Sequence, residues 1–227
     1  CDRILRVNEK IVLALASNSP RRRQLLALGN WAFTVNVADI DETPLAGELP
    51  KVYVLRLARA KALAVSHKAG LENIIIGSDT TVVDGDSMLG KPNDARHAES
   101  MLKQLRGRTH QVYTAVALYR VWDAKMLTEL SVTDVPMRNY SDEEIAAYIN
   151  TGDPMDKAGA YAIQHPDFDP VESMQGCYAG VMGLPMCHVL RALQKFGISS
   201  AADVPSACQS LLNYRCQVSS AILRGEA

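Results

Sequence analysis

Apolar residues along the chain fall into two patterns, short unbroken runs and stripes at helical spacing. "KIVLALAS" is an unbroken run ending in small residues and predicts a buried strand. Ser19 then has the features of an N-cap and Pro20 those of a first helical residue. Leu25, Leu26 and Leu28 form the apolar side of that helix, and Gly29 is its expected stop. "FTVNV" alternates Phe33, Val35 and Val37, the pattern of a half-buried strand, and an acidic loop, "ADIDETPLAGELP", follows.

From Val52 to Ser66 the stripe Val52, Leu55, Ala58, Ala62 and Val65 predicts a second helix. "NIIIGSDTTVVDGDSML" places β-branched runs either side of "DGD", a hairpin signal. A helix over Ala95 to Leu105 is bounded by Asp94 as N-cap and Gly107 beyond its end. Two long strands, "HQVYTAVALYRV" and "KMLTELSVTDVPM", meet near Trp122, Asp123 and Ala124 as another hairpin. Ser141 to Glu144 forms a capping box opening a helix through Tyr148, closed by Gly152. "AYAIQ" and "CYAGVMGLP" read as short strands or strand-to-loop segments, and a helix follows Met186. The division expected is a main domain over residues 1–198 and a helical C-terminal extension over 199–227. Several hairpins among helices predict a mixed α/β fold, not a regular parallel series.

Composition adds limits. The 227 residues are 48% hydrophobic and 22% charged with a net charge of -1, so no bulk positive field draws the chain to nucleic acid. No apolar run reaches membrane-spanning length. The N-terminal "CDRILRVNEK" has no apolar secretion core, and five scattered cysteines fit reduced thiols, so a cytoplasmic location is expected. Cys177 and Cys187 sit in small, apolar surroundings and read as inert core thiols.

Three arginines, Arg21, Arg22 and Arg23, stand on the first turn of the first helix, where the positive end of the dipole disfavours cations. Solvated charges would be one explanation. A bound phosphate is the better one, because helix N-termini bind anions and guanidinium forks match phosphate oxygens. Asp79 and Thr80 follow three isoleucines, where a strand leaves the core for either water or a site. Lys91 lies between Gly90 and Pro92 on a restrained backbone, while Asp84 and Asp86 belong to the turn. In the acidic loop, Asp39, Asp41 and Glu42 are ordinary solvated residues unless a cation gathers them. Glu42 with Asp79 and a triphosphate would satisfy Mg²⁺. "DKAGAYAIQ" brings Asp156, Lys157 and Gln164, whose amide can read a base edge. P-loop, dinucleotide-binding, zinc-protease, CxxC and GxSxG motifs are absent, and the five histidines are scattered.

Taken in order, "ASNSPRRRQLLALG", "IIGSDTTVV…LGKP", "TDVPMRNYSDEEIAAYI", "DKAGAYAIQ" and "GCYAGVMGLP" resemble the Maf family of nucleoside triphosphate pyrophosphatases, over roughly Lys10 to Leu193. The resemblance implies a Maf/ITPase-like two-lobed α/β fold with a mixed twisted sheet and a central cleft. It implies cleavage of a nucleoside triphosphate between its α- and β-phosphates to a monophosphate and pyrophosphate, with a divalent cation, Mg²⁺ or Mn²⁺. Ser19, Arg21 and Arg22 match the family's Ser-Pro-Arg-Arg element, and Lys61, Thr80 and Lys91 fall with its phosphate-contacting residues. Asp79 matches the catalytic acidic residue, as proton acceptor or metal ligand, and Glu42 the loop glutamate beside the metal. "DKAGAYAIQ" is similar to the branch acting on dTTP and UTP, with Gln164 reading the base and a house-cleaning role against non-standard nucleotides. Ala60 and His165-Pro166 depart from the pattern, where relatives often carry Glu and Gly. A homodimer is also implied. The rival reading is a nucleotide- or nucleic-acid-binding regulator of cell division without turnover. A phosphosugar enzyme has no positive motif.

Overall fold

The computed structural model describes residues 12–226 apart from 69, 71 and 72, so the reading of "CDRILRVNEK" and the start of "KIVLALAS" lie outside the described residues. Six strands form one mixed sheet: β1 (Leu13–Leu15), β2 (Phe33–Val35), β3 (Ile74–Asp84), β4 (Ser87–Leu89), β5 (Thr109–Arg120) and β6 (Lys125–Pro136). Their order is β2-β1-β3-β5-β6, with β4 paired to β3. β1 runs parallel to β2 and β3, and the rest are antiparallel. The mixed α/β class expected from the sequence is the one observed.

Helix α1 (Pro20–Ala27) starts as predicted, Ser19 accepting the Arg22 backbone N–H through its side chain. It ends at Ala27, with Leu28 as cap. Asn30, at φ 51°, takes the left-handed position expected of Gly29. Gly29 supplies room instead, since a Cβ there would lie 1.8 Å from the Trp31 ring. The Phe33 strand is short and at the sheet's edge, which leaves Val35 and Val37 exposed at 37% and 55%.

Helix α2 (Pro50–Ala64) buries Val54, Leu57, Ala58, Lys61 and Ala62, while Val52 faces solvent. The predicted stripe therefore lay partly off the true face, since a buried lysine does not count in an apolar pattern. Helices α3 (Ala95–Leu105) and α4 (Asp142–Asn150) carry the predicted caps, the second with its reciprocal Ser141–Glu144 box. The segment 161–164 is irregular, and the predicted strand in "CYAGVMGLP" is instead helix α5 (Tyr178–Val181). Then come α6 (Met186–Lys195), α7 (Val204–Leu212) and α8 (Ser219–Arg224). The last two pack on α6 and bury Val204 and Ile222.

The sheet separates two cores. One face carries α1, α3, α4 and α6 over large side chains such as Leu25, Ile74, Leu102 and Val189. The other carries α2 over small ones, Ala14, Ala58, Ala62, Ala115 and Ala117. Small residues let backbones approach closely. At Gly77 a Cβ would sit 2.1 Å from the Ala58 carbonyl oxygen, so only glycine allows α2 this near β3.

One gap in the sheet matters most. β1 pairs with β3 only as far as Ile76, and β4 joins the same edge of β3 only from Val82. Between them, residues 77–81 have a strand neighbour on the β5 side alone. There the sheet opens into a cleft.

Candidate active site

The cleft has a volume of about 320 Å³. Every site residue that the family resemblance implied lines it: Ser19, Arg21, Arg22, Glu42, Lys61, Asp79, Thr80, Lys91 and Gln164. Arg23 is exposed and outside it, as are Asp39 and Asp41. Asp41 instead turns the acidic loop by accepting the Thr43 N–H at 2.8 Å. Asp84 is paired with Arg108 and Gln104, a structural role as expected from the turn.

Strand alternation explains how β3 feeds the site from both faces. Asp79 points to the α2 side, where Lys61 Nζ donates to its Oδ1 at 2.6 Å. The same ammonium meets Glu42 Oε1 at 2.7 Å, so Lys61 holds two carboxylates on one point. Asp79 and Lys61 are buried, at 5% and 8% exposure. Burial raises the Asp79 carboxyl above its ordinary value, against the pull of Lys61 and Arg22. Burial also pushes Glu42 upward, but the Lys61 hydrogen bond and charge, with Lys91 and Arg22, outweigh it and hold Glu42 below its usual value. The sequence placed Asp79 at a strand's exit; it lies mid-strand, and the break in the neighbouring strands is what exposes it.

Thr80 points to the opposite side. Arg22 donates from Nη2 to Thr80 Oγ1 at 3.2 Å, from Nη1 to Ser17 Oγ at 3.3 Å and from Nε to the Gly183 carbonyl at 2.8 Å. Ser78 donates to that same carbonyl at 2.8 Å. Burial lowers the Arg22 guanidinium, partly offset by Asp79, yet an arginine stays charged. Gly183 has φ 108°, and a Cβ on it would come 3.1 Å from Arg22 Nε. Arg21 makes no hydrogen bond or ion pair with a side chain or carbonyl among the described residues, so its fork is uncommitted. The two arginines are thus unequal: Arg22 is built into the wall, Arg21 is free.

The structure also gives Lys157 a definite place and adds Tyr53 and Arg56, which the sequence did not single out. Lys157, 7% exposed, is clasped by Asp153 and Asp156 and brings a buried cation to the cleft beside Gln164. Gly159 N–H donates to the Gly90 carbonyl at 3.0 Å, tying the Lys157 turn to the Lys91 loop. Tyr53 lines the cleft and donates to the Glu42 carbonyl at 2.9 Å; burial and the nearby carboxylates push its phenol up to about 12. Arg56 clamps the same loop through both carboxylate oxygens of Glu48. "RAKA" and "DKAG" carried signals for the lysines, but nothing local marks Tyr53. The rest of the cleft is apolar, with Val82, Val112, Tyr161, Ile163 and Met182.

Five cations thus face three carboxylates in a half-apolar cleft, a site suited to a polyanion with an apolar or aromatic end. The profile of the Maf-like protein family matches residues 12–196. The chain belongs to the Maf-like protein family. Its curated relatives include the dTTP/UTP pyrophosphatase of Geotalea uraniireducens, 45% identical over 82% of this chain and 95% of that protein. That of Myxococcus xanthus is 46% identical over 84% and 95%, and that of Thermomicrobium roseum 45% identical over 88% and 92%. Among solved structures, the dITP/XTP pyrophosphatase of Mycobacterium abscessus aligns with a TM-score of 0.40 at 13% identity, over 82% of this chain and 94% of that one. All the Maf-matched cleft residues fall inside the matched segment, while α7 and α8 lie beyond it.

Proposed function

We propose that this Maf-family chain hydrolyses nucleoside triphosphates, dTTP and UTP foremost, to the monophosphate and pyrophosphate. The observation that carries the reading is that Arg21, Lys91 and Lys157 line one cleft with a buried Asp79 at the break in the sheet. The names of the curated relatives support the substrate choice.

Phosphoanhydride cleavage needs positioning and charge neutralisation more than covalent help. The uncommitted Arg21 and Lys91 would take phosphate oxygens, with the Ser19 end of α1 adding its dipole. Lys157, neutralised by its own carboxylates, would fix the far end of the chain of phosphates. Asp79 would accept a proton from the attacking water; its raised affinity for protons makes it a stronger base than an exposed aspartate. The base would enter the apolar end between Val112, Tyr161 and Ile163, with the Gln164 amide reading its edge.

The residues fit a divalent cation. Glu42 and Asp79 already converge on one cation, the Lys61 ammonium, and both offer hard oxygen ligands. Among the described residues no cluster of three or more His, Cys, Asp or Glu is placed to hold a metal, so phosphate oxygens would complete the shell. When bound, Mg²⁺ or Mn²⁺ would neutralise phosphate charge and polarise the phosphorus centre. Lys61 would then turn from the carboxylates to the phosphates.

The test is a substrate panel of dTTP, UTP, CTP and 7-methyl-GTP with Mg²⁺ or Mn²⁺, with products identified. Pyrophosphate from dTTP and UTP, lost on chelation, is expected. Release from none would favour the regulator without turnover. Non-standard nucleotides added to the panel test the house-cleaning role, and sedimentation tests the homodimer. The net charge of -1 and the small cleft support a free nucleotide over a polynucleotide. No described helix is long and apolar enough to cross a membrane.

A further inference from the structure

Outside the cleft, Cys177, Cys187, Cys208 and Cys216 line one small, mainly apolar cavity between α5, α6 and α7. Two come from the family-matched segment and two from the helical stretch after it. Among the described residues no thiol cluster is arranged to hold a metal, and the four thiols share the wall of one cavity.

One pair is singled out by its surroundings. The segment carrying Cys216 grips the segment carrying Cys177: Tyr214 Oη accepts the Gly176 N–H at 3.2 Å and lies 3.1 Å from the carbonyl oxygens of Met174 and Gly176. Cys216 Sγ is 3.9 Å from the Gly176 carbonyl oxygen, one peptide unit from Cys177. Cys216 is half-buried and open to a small oxidant, whereas Cys177 is 7% exposed.

Cys177 also does local work. Its sulfur accepts the Gly180 N–H at 3.3 Å and so caps α5. The Gly180 carbonyl accepts the Thr114 hydroxyl at 2.7 Å, and Thr114 lies 3.0 Å from Thr80 in the cleft. Three residues on, the Gly183 carbonyl holds Arg22. The cap therefore stands two contacts from the nucleotide cleft.

We propose that Cys216 and Cys177 form an oxidation-sensitive thiol pair whose disulfide draws Cys177 off the α5 cap and slows the nucleotide site. With hydrogen peroxide as oxidant, the Cys216 sulfur attacks one peroxide oxygen, the O–O bond breaks, and a sulfenic acid and one water result. The Cys177 sulfur then attacks the Cys216 sulfur and expels hydroxide, which takes the Cys177 proton as a second water. Two thiols have lost two hydrogens and two electrons to the peroxide. Burial pushes the Cys177 thiol up to about 12, and the half-buried Cys216 is the member of the pair more open to the first attack.

The consequence for the cleft rests on the pyrophosphatase reading; the cross-link does not. Full-length protein is treated with hydrogen peroxide and digested without reductant, and joined peptides are identified by mass. A Cys177–Cys216 peptide two hydrogens lighter than its parts, removed by dithiothreitol, is expected. Pyrophosphate release from dTTP, or dTTP binding if turnover is absent, should fall about tenfold on oxidation and recover on reduction. Cys216→Ser should keep basal behaviour and lose the peroxide response. No such peptide, a Cys216 cross-link to a different cysteine, or a cross-link that leaves the cleft unchanged overturns the proposal.

Discussion

Arg21 and Arg22 are neighbours with different duties, and substitution should separate them. Arg21→Ala removes a group with no partner among the described residues, so KM for the triphosphate should rise about tenfold with the unfolding midpoint unmoved. Arg22→Ala removes three hydrogen bonds from the wall, although the Gly183 carbonyl keeps Ser78 and Thr80 keeps Thr114, so it should also cost about 1 kcal/mol or more in urea denaturation. Equal stability losses in the two variants would contradict this division. Asp79→Asn should lower kcat by ~10²-fold or more. Because burial raises the Asp79 carboxyl, its proton is lost only above the ordinary value of 3.8. The acid limb of the wild-type rate profile should therefore lie above that pH and disappear in the variant. The residue types at these positions were legible in the sequence because arginines at a helix start and an aspartate after an apolar run conflict with local preference. Tyr53 was not, since its role lies in a single hydroxyl reaching Glu42 across the loop.

Among elements, the contact between α2 and β3 decides the most. It carries Lys61 to Asp79, and it exists because Gly77 has no side chain. Gly77→Ala should force α2 outward, cost about 3 kcal/mol or more and weaken activity together with stability. Tyr53→Phe, by contrast, frees the loop without disturbing the core. The metal concentration giving half activity should rise several-fold, with kcat recovered at saturating metal. Helix starts and hairpins were readable because caps and turns are local chemistry. Predicting α5 as a strand failed because a Gly- and Ala-rich stretch has no clear period, and its Cys177 cap is an unusual one. The length of β3 was missed as well. Ser78, Asp79 and Thr80 are polar for the site's sake and hide the continuing strand.

At the scale of the whole molecule, two buried histidines shape the response to acid. His110 and His188 are 2% and 3% exposed, and burial lowers both to about 4. The unfolded chain takes up their protons near pH 6.5, so stability falls as pH drops from there to about 4. Between pH 7 and pH 5 the loss should be on the order of 2 kcal/mol for each, measured as urea midpoints at the two pH values, and His110→Gln with His188→Gln should flatten the slope.

Finally, the Arg22–Gly183 contact joins residues 161 positions apart, whereas β5 and β6 pair across a four-residue turn. Loop-closure entropy favours the hairpin early and the distant contact late. During refolding from urea, circular dichroism should then recover ahead of pyrophosphate release. Catalysis would mark the last step of the chain's assembly, and a nascent chain shorter than about 183 residues would carry the arginines, the aspartate and the lysines without an enzyme among them.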